Sequence, residues 1–256
     1  MTYCLGMLID AGLIMMADTR TNAGVDNFSS FKKLHNLVDT RDRQLFLCSA
    51  GNLSMSQFIV SLLMEGLPST QDVDLLQSLK EAPSMFRAAQ FVGEAVQATN
   101  DKVGEALDRV GLESSVSLLL GGRIGEGPLS LFLIYNAGNF IECSCDVPFL
   151  QIGETKYGRP ILDRALTRQS SIHEAVKIGL LSFDSSIQSN LAVARPIDII
   201  VLTNAEPGAS LSRRVEGSDP HFNELSLKWA DGLRNLVSEL PSPPWCKGAG
   251  SPESSA

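Results

Sequence analysis

The chain has 256 residues, 44% of them hydrophobic and 20% charged, with a formal net charge of -8. That length suits one large domain with an ordinary core, and the acidic balance excludes the electrostatic footprint needed for nucleic acid or an anionic membrane surface. The five cysteines, Cys4, Cys48, Cys143, Cys145 and Cys246, form no CxxC pair and no Cys/His cluster of metal-site spacing, and read as free thiols of a reducing cytoplasm. The first residues lack the basic and apolar regions of a secretory signal. No apolar run reaches the roughly 20 residues of a membrane span, so a cytoplasmic protein is expected.

Tyr3–Ile9 and Leu13–Ala17 are short apolar runs around the turn signal Asp10-Ala11-Gly12, which predicts a hairpin at the start of the chain. A polar loop over Thr19–Ser30 follows, then a second strand pair, Phe31–Val38 and Gln44–Ala50. Helical periodicity takes over with Phe58, Ile59, Leu62 and Leu63, stopped by Gly66, and again with Val92, Val96, Val103, Leu107 and Val110. Strands return at Ser115–Leu120 and Leu129–Tyr135, flanking a glycine-rich hairpin loop, and at Phe140–Ser144 and Pro148–Ile152. Pro160–Thr167 and the capping-box segment from Ser171 read as helices. Ile197–Thr203 is an apolar strand, and Leu225, Trp229, Leu233, Leu236 and Leu240 fall on one face of a last helix. Strand groups alternating with helix pairs suit two antiparallel sheets packed together, with helices on both sides, rather than βαβ winding.

Common catalytic motifs are missing. There is no GxxxxGK[ST], no GxGxxG after a strand, no GxSxG elbow and no HExxH. The only histidines are His35, His173 and His221, which leaves little for a histidine-based triad. Thr2 directly follows the initiator Met and opens a strand. Removal of Met1 would place a free α-amine beside the Thr2 hydroxyl. An α-amine has an ordinary pKa of about 7.7–8.0, so nucleophile and general base would share one residue. Thr at position 2 is common, so position alone does not carry this reading.

The context does. Ala17-Asp18-Thr19-Arg20-Thr21-Asn22-Ala23-Gly24 follows the second strand, Lys32-Lys33 follows Phe31, and Ala50-Gly51 ends the fourth strand. The set resembles the proteasome β-subunit family in order and spacing. It resembles more closely the bacterial branch called Anbu, the ancestral β subunit. That likeness covers residues 1–245 and includes the MTYC start, the 151–158 stretch QIGETKYG and the ending ELPSPPW.

The resemblance implies an α+β, four-layer αββα sandwich, the N-terminal-nucleophile hydrolase fold, over 1–245, with a disordered tail over 246–256. It implies a threonine peptidase in which Thr2 is the nucleophile. Lys33 would lower the pKa of the Thr2 hydroxyl and amine, Asp18 would pair with Lys33, and the Gly51 N–H would stabilise the oxyanion. Arg20 reads as structural support. Asp184 and Ser189 correspond to the family's element near the terminal amine, although Ile187 stands where its serine is expected. Glu154 follows Gly153 where the family places another serine. Thr21, Phe31, His35, Ser49 and Leu53 correspond to the first specificity pocket. The implied partners are copies of itself, in a ring or open ring, and a peptide or unfolded protein substrate. No ATP-binding motif lies in the chain, so any ATPase or adaptor serving the assembly would be a separate protein. The mechanism calls for no metal or cofactor. Two other readings share the fold: an inactive ring scaffold, and an amidase acting on a non-protein substrate.

Overall fold

The structure, a computed structural model, describes residues 2–22, 28–68 and 76–246. The chain divides into two compact units, Met1–Ser218 and Asp219–Ala256.

The first unit holds the expected hairpin, β1 (Tyr3–Ile9) and β2 (Gly12–Asp18), then a short ribbon of β3 (Arg20–Asn22) and β4 (Phe28–Ser30). β5 (Leu34–Thr40), β6 (Arg43–Gly51) and α1 (Leu53–Glu65) follow. A small ribbon of β7 (Leu67–Pro68) and β8 (Leu76–Gln77) leads to α2 (Met85–Thr99), which passes through a π turn at Asn100–Gly104 into α3 (Glu105–Arg109). Next come β9 (Val116–Ile124), β10 (Ser130–Ile134), β11 (Phe140–Glu142), β12 (Phe149–Gly153), α4 (Arg159–Ala165), α5 (Ile172–Ser189), β13 (Ile197–Thr203) and β14 (Ser210–Val215).

Two five-stranded antiparallel sheets result, in the orders β12-β1-β2-β13-β14 and β11-β10-β9-β6-β5. Side-chain parity builds the layers. Cys4, Leu13, Met15 and Ala17 of the first sheet meet Leu34, Phe46, Cys48 and Leu119 of the second in the core between the sheets. On the outer face of the second sheet, Leu45, Leu47, Leu118 and Leu120 pack against Met55 and Ile59 of α1 and Ala88, Val92 and Val96 of α2. On the outer face of the first sheet, Met7 and Met16 reach Gly179 of α5. β1 and β2 are buried along their whole length. A strand covered on both faces has no polar side, which is why their sequences read as unbroken apolar runs.

Three features differ from the sequence reading. The expected loop over 19–30 contains the β3–β4 ribbon. Phe31 lies outside β5, its N–H donating to the Thr19 carbonyl at 2.9 Å. The edge strand β14 was not anticipated. Its sequence, SLSRRV, is exposed at all but its last residue, and polar edge strands carry no hydrophobic alternation.

The second unit holds α6 (Pro220–Glu239). Asp219 caps it, accepting the Phe222 N–H at 2.9 Å, and Pro220 occupies the first turn. Leu233 and Leu236 of this helix and Leu240 just beyond it, spaced by three and four residues, are exposed. Most of the expected tail, 247–256, lies outside the described residues. Among the described residues, no helix is long and apolar enough to cross a membrane.

Candidate active site

β1 begins one residue after Thr2, so strand pairing fixes Thr2 in place. Tyr3 is registered with Gly153 of β12, and Cys4 with Ala17 of β2. The Thr2–Tyr3 peptide is held at both ends. Its N–H donates to Asp18 Oδ1 at 2.9 Å, and its carbonyl accepts the Glu154 N–H at 2.7 Å. Gly153 stands at the closest approach with φ +82°; a Cβ there would lie 2.0 Å from the Thr2 oxygen. Only glycine fits this turn.

Asp18 ends β2 and is fully buried, and Lys33 is 4% exposed. Lys33 Nζ donates to both Asp18 oxygens, at 2.9 and 3.0 Å, and to the Arg20 carbonyl. The Lys33 backbone is pinned as well, its carbonyl accepting the Ser49 N–H at 3.0 Å. Burial pushes the Asp18 carboxyl above its usual range, while the Lys33 ammonium and the Tyr3 N–H pull it back. Two charges removed from water together are tolerable only with such geometry.

Thr2, Lys33, Ser49, Gly51, Leu53 and Gly153 line one cleft of about 570 Å³. Gly51 closes β6 with φ +108°, a conformation that lets it pass the Ser115 carbonyl; a Cβ would lie 2.3 Å from that oxygen. Asn52 then caps α1, its side-chain oxygen accepting from Ser54 N and Met55 N. Its own N–H and side-chain amide hold the opposite wall, through the carbonyls of Ser115 and Glu113. Leu112 and Glu113 complete the lining from the segment after α3. That segment lies about sixty residues beyond Gly51, and nothing local in the sequence marks it as part of the cleft.

The other candidates are placed differently. Phe31 and His35 are not among the cleft-lining residues, and the Thr21 side chain lies outside the described residues. Asp184 is buried within α5 and Ser189 is exposed at its end; neither lines the cleft. Arg20 reaches the turn after α5, Nη1 donating to the Leu191 carbonyl at 3.0 Å. Among the described residues, no group of three or more His, Cys, Asp or Glu is placed to hold a metal ion.

His35 has a consequence for stability. Burial, with Lys32 nearby, pulls its pKa down to about 4, and Asp198 acts in the opposite sense. The folded value lies below the ordinary one of about 6.5, so below that pH the unfolded chain binds a proton that the folded chain refuses. Stability from this group is complete above a pH of about 6.5 and is lost as pH falls toward about 4. Because the ring is only partly shielded, a loss of about 1–2 kcal/mol between pH 7 and pH 5 is expected. Urea unfolding at the two pH values, in the unaltered chain and in His35→Gln, checks this. The variant should show the smaller drop; equal drops would assign the effect to another group.

No family model matches the chain, and no curated protein matches it. Solved structures do. The chain is 40% identical to Anbu from Hyphomicrobium sp. strain MC1, with a TM-score of 0.82 over 94% of this chain and 99% of that one. It is 37% identical to Anbu from Pseudomonas aeruginosa, solved as a helical assembly of the Anbu complex, with a TM-score of 0.86 over 94% and 98% of the two chains. It is also 37% identical to Anbu (ancestral beta-subunit) from Yersinia bercovieri, with a TM-score of 0.84 over 94% and 98%. Identity at this level across nearly the whole of both chains, on the same sandwich of sheets, shows that the chain belongs to the Anbu family of proteasome-related proteins.

Proposed function

We infer that the chain is an N-terminal threonine hydrolase that cleaves peptide bonds, working as a subunit of a self-assembled complex. One observation carries the reading: Lys33, buried and bound to Asp18, lines the same cleft as Thr2. An ammonium in that place favours the neutral form of a nearby amine and the ionised form of a nearby hydroxyl. With Met1 removed, the Thr2 amine accepts the hydroxyl proton as Oγ attacks the substrate carbonyl. The Gly51 N–H stabilises the oxyanion, the amine of the scissile bond leaves with the proton, and water releases the acyl group from Oγ. Ser49 and Leu53 shape the adjoining specificity pocket, and Asp184 and Ser189 support the site from α5. No metal or cofactor enters these steps.

Self-assembly is supported by the helical complex of the Pseudomonas aeruginosa relative. The exposed seam at Leu233, Leu236 and Leu240 offers an apolar face of the kind that subunit contacts use.

Mass spectrometry of the purified protein, intact and native, tests both parts. The expected result is loss of Met1, one covalent adduct on Thr2 after treatment with a peptide epoxyketone, and a multi-subunit native mass. An epoxyketone needs both the hydroxyl and the free amine. A trimmed chain that assembles but never forms the adduct would sink the hydrolase reading and leave a scaffold.

A further inference from the structure

Glu154 is a carboxylate with 6% exposure, and the mechanism above does not use its side chain. Its N–H holds the Thr2 carbonyl, and its two oxygens have separate partners. Oε1 accepts the Lys156 N–H at 2.9 Å, and Oε2 accepts Asn190 Nδ2 at 2.7 Å. Asn190 follows the last residue of α5, and its N–H closes that helix onto the Ser186 carbonyl. Its amide cannot turn over freely, because Oδ1 accepts the Ala192 N–H at 3.0 Å. The NH₂ end therefore faces Glu154 by necessity.

These bonds join two elements that strand pairing does not connect. β12 delivers Glu154 to Thr2, and Asn190 anchors that residue to the end of α5. The carbonyl end of the Thr2–Tyr3 peptide is thus tied to a helix terminus, while its N–H end is tied to Asp18 and Lys33. Orienting a peptide from both ends fixes the Cα of Thr2, the point from which the hydroxyl projects. Geometry of this kind governs the rate of a positioned nucleophile.

We propose that Glu154 and Asn190 form a buried clamp that positions Thr2 for attack. Both act through the Glu154 N–H. The proposal rests on the reading of Thr2 as nucleophile, and its test is built to separate the two.

Glu154→Gln turns one acceptor into a donor. Its amide would meet either the Lys156 N–H or the Asn190 NH₂, donor against donor. Asn190→Asp sets two carboxylates against each other. The double variant Glu154→Gln/Asn190→Asp restores these three bonds, with the polarity of one reversed. The amide introduced at position 154 donates to the carboxylate introduced at position 190, and its own oxygen still accepts the Lys156 N–H. The second oxygen of the new carboxylate still accepts the Ala192 N–H.

The experiment measures the rate of epoxyketone adduct formation at saturation, the half-saturating concentration, and hydrogen exchange of the residue 154 amide. Each single variant should react at least about tenfold more slowly with an unchanged half-saturating concentration. Each should also exchange the residue 154 amide at least about tenfold faster. The double variant should recover to within about threefold in both measures. Single variants that match the unaltered chain, or a double variant as slow as the singles, would overturn the clamp. If the unaltered chain forms no adduct, the hydrolase reading falls and exchange alone decides: protection lost in the singles and regained in the double upholds the clamp, and uniform protection rejects it.

Discussion

Lys33→Met is expected to abolish reaction of Thr2 with a peptide epoxyketone and to destabilise the fold. The two losses have different causes. Without the ammonium, the cleft loses the full positive charge that favours the ionised hydroxyl and the neutral amine, and a loss of about a thousandfold or more in rate is expected. Among the described residues, Asp18 meanwhile keeps only the Tyr3 N–H, fully buried. Removing one partner of a buried ion pair costs about 3–5 kcal/mol, which in a chain of this size lowers the melting temperature by about 10 °C.

The loss of stability has a pH signature. Burial already raises the Asp18 pKa, and the Lys33 ammonium is the largest influence lowering it. In the variant the folded pKa rises further above the unfolded one. A group of that kind favours the folded state below its unfolded pKa, and the advantage is lost as pH rises through the folded pKa. Lys33→Met should therefore recover stability relative to the unaltered chain on acidification. A double variant, Asp18→Asn/Lys33→Met, removes the buried charge, and the amide oxygen it introduces at position 18 can still accept the Tyr3 N–H. It should melt close to the unaltered chain and remain unreactive. Calorimetry at two pH values and adduct formation by mass check all three chains. Reactivity of Lys33→Met within about tenfold of the unaltered chain would remove Lys33 from the chemistry.

Gly153→Ala carries the second large expectation. A Cβ at this position meets the Thr2 oxygen at 2.0 Å and the Thr2 carbonyl carbon at 2.7 Å, and φ is +82°. Both obstacles are backbone, so β12 must move away from the start of β1. Strain and displacement together should cost about 2–5 kcal/mol. The Glu154 N–H would lose its hold on the Thr2 carbonyl. A shift of about 1 Å at the nucleophile corresponds to a rate loss of about a hundredfold. Gly125→Ala is the control, since Gly125 also has a positive φ, +59°, but nothing within 4 Å of the added Cβ. It should lose about 1 kcal/mol and keep the full rate of adduct formation. Chemical unfolding and adduct kinetics on both variants decide the matter. Equal rates in the two would mean that the approach of Gly153 to Thr2 does not matter to the site.

Much of the sandwich was legible in order of sequence, because its strands announce themselves locally. Tyr3–Ile9 and Gly12–Ala17 are apolar throughout since both faces are covered, and a two-residue turn joins them. The helix beginning at Ile172 declared itself through Ser171 and Glu174, a cap that depends on residues three apart. β14 escaped because an exposed edge strand needs no apolar face; its pairing partner Ile197–Thr203 supplies its reason to exist. The sequence also carried the Thr2, Asp18, Lys33 and Gly51 pattern, since all four fall within the first fifty-one residues and near turns.

Tertiary structure decided what stands around them. Leu112 and Glu113 reach the cleft because β9 pairs with β6, setting Val116 opposite Gly51, and Asn52 binds the carbonyls of Glu113 and Ser115. Phe31 and His35 are near Lys33 in sequence yet do not line the cleft: Phe31 and Lys33 precede β5, where no strand periodicity relates their side chains, and only His35 lies within the strand. Glu154 and Asn190 are thirty-six residues apart, and their bond exists because β12 pairs with β1 while α5 ends beside it. Local sequence fixes strands, caps and turns through neighbours a few residues away. Which side chains meet across sheets is set by pairing order and register, and those depend on the burial of the whole core at once.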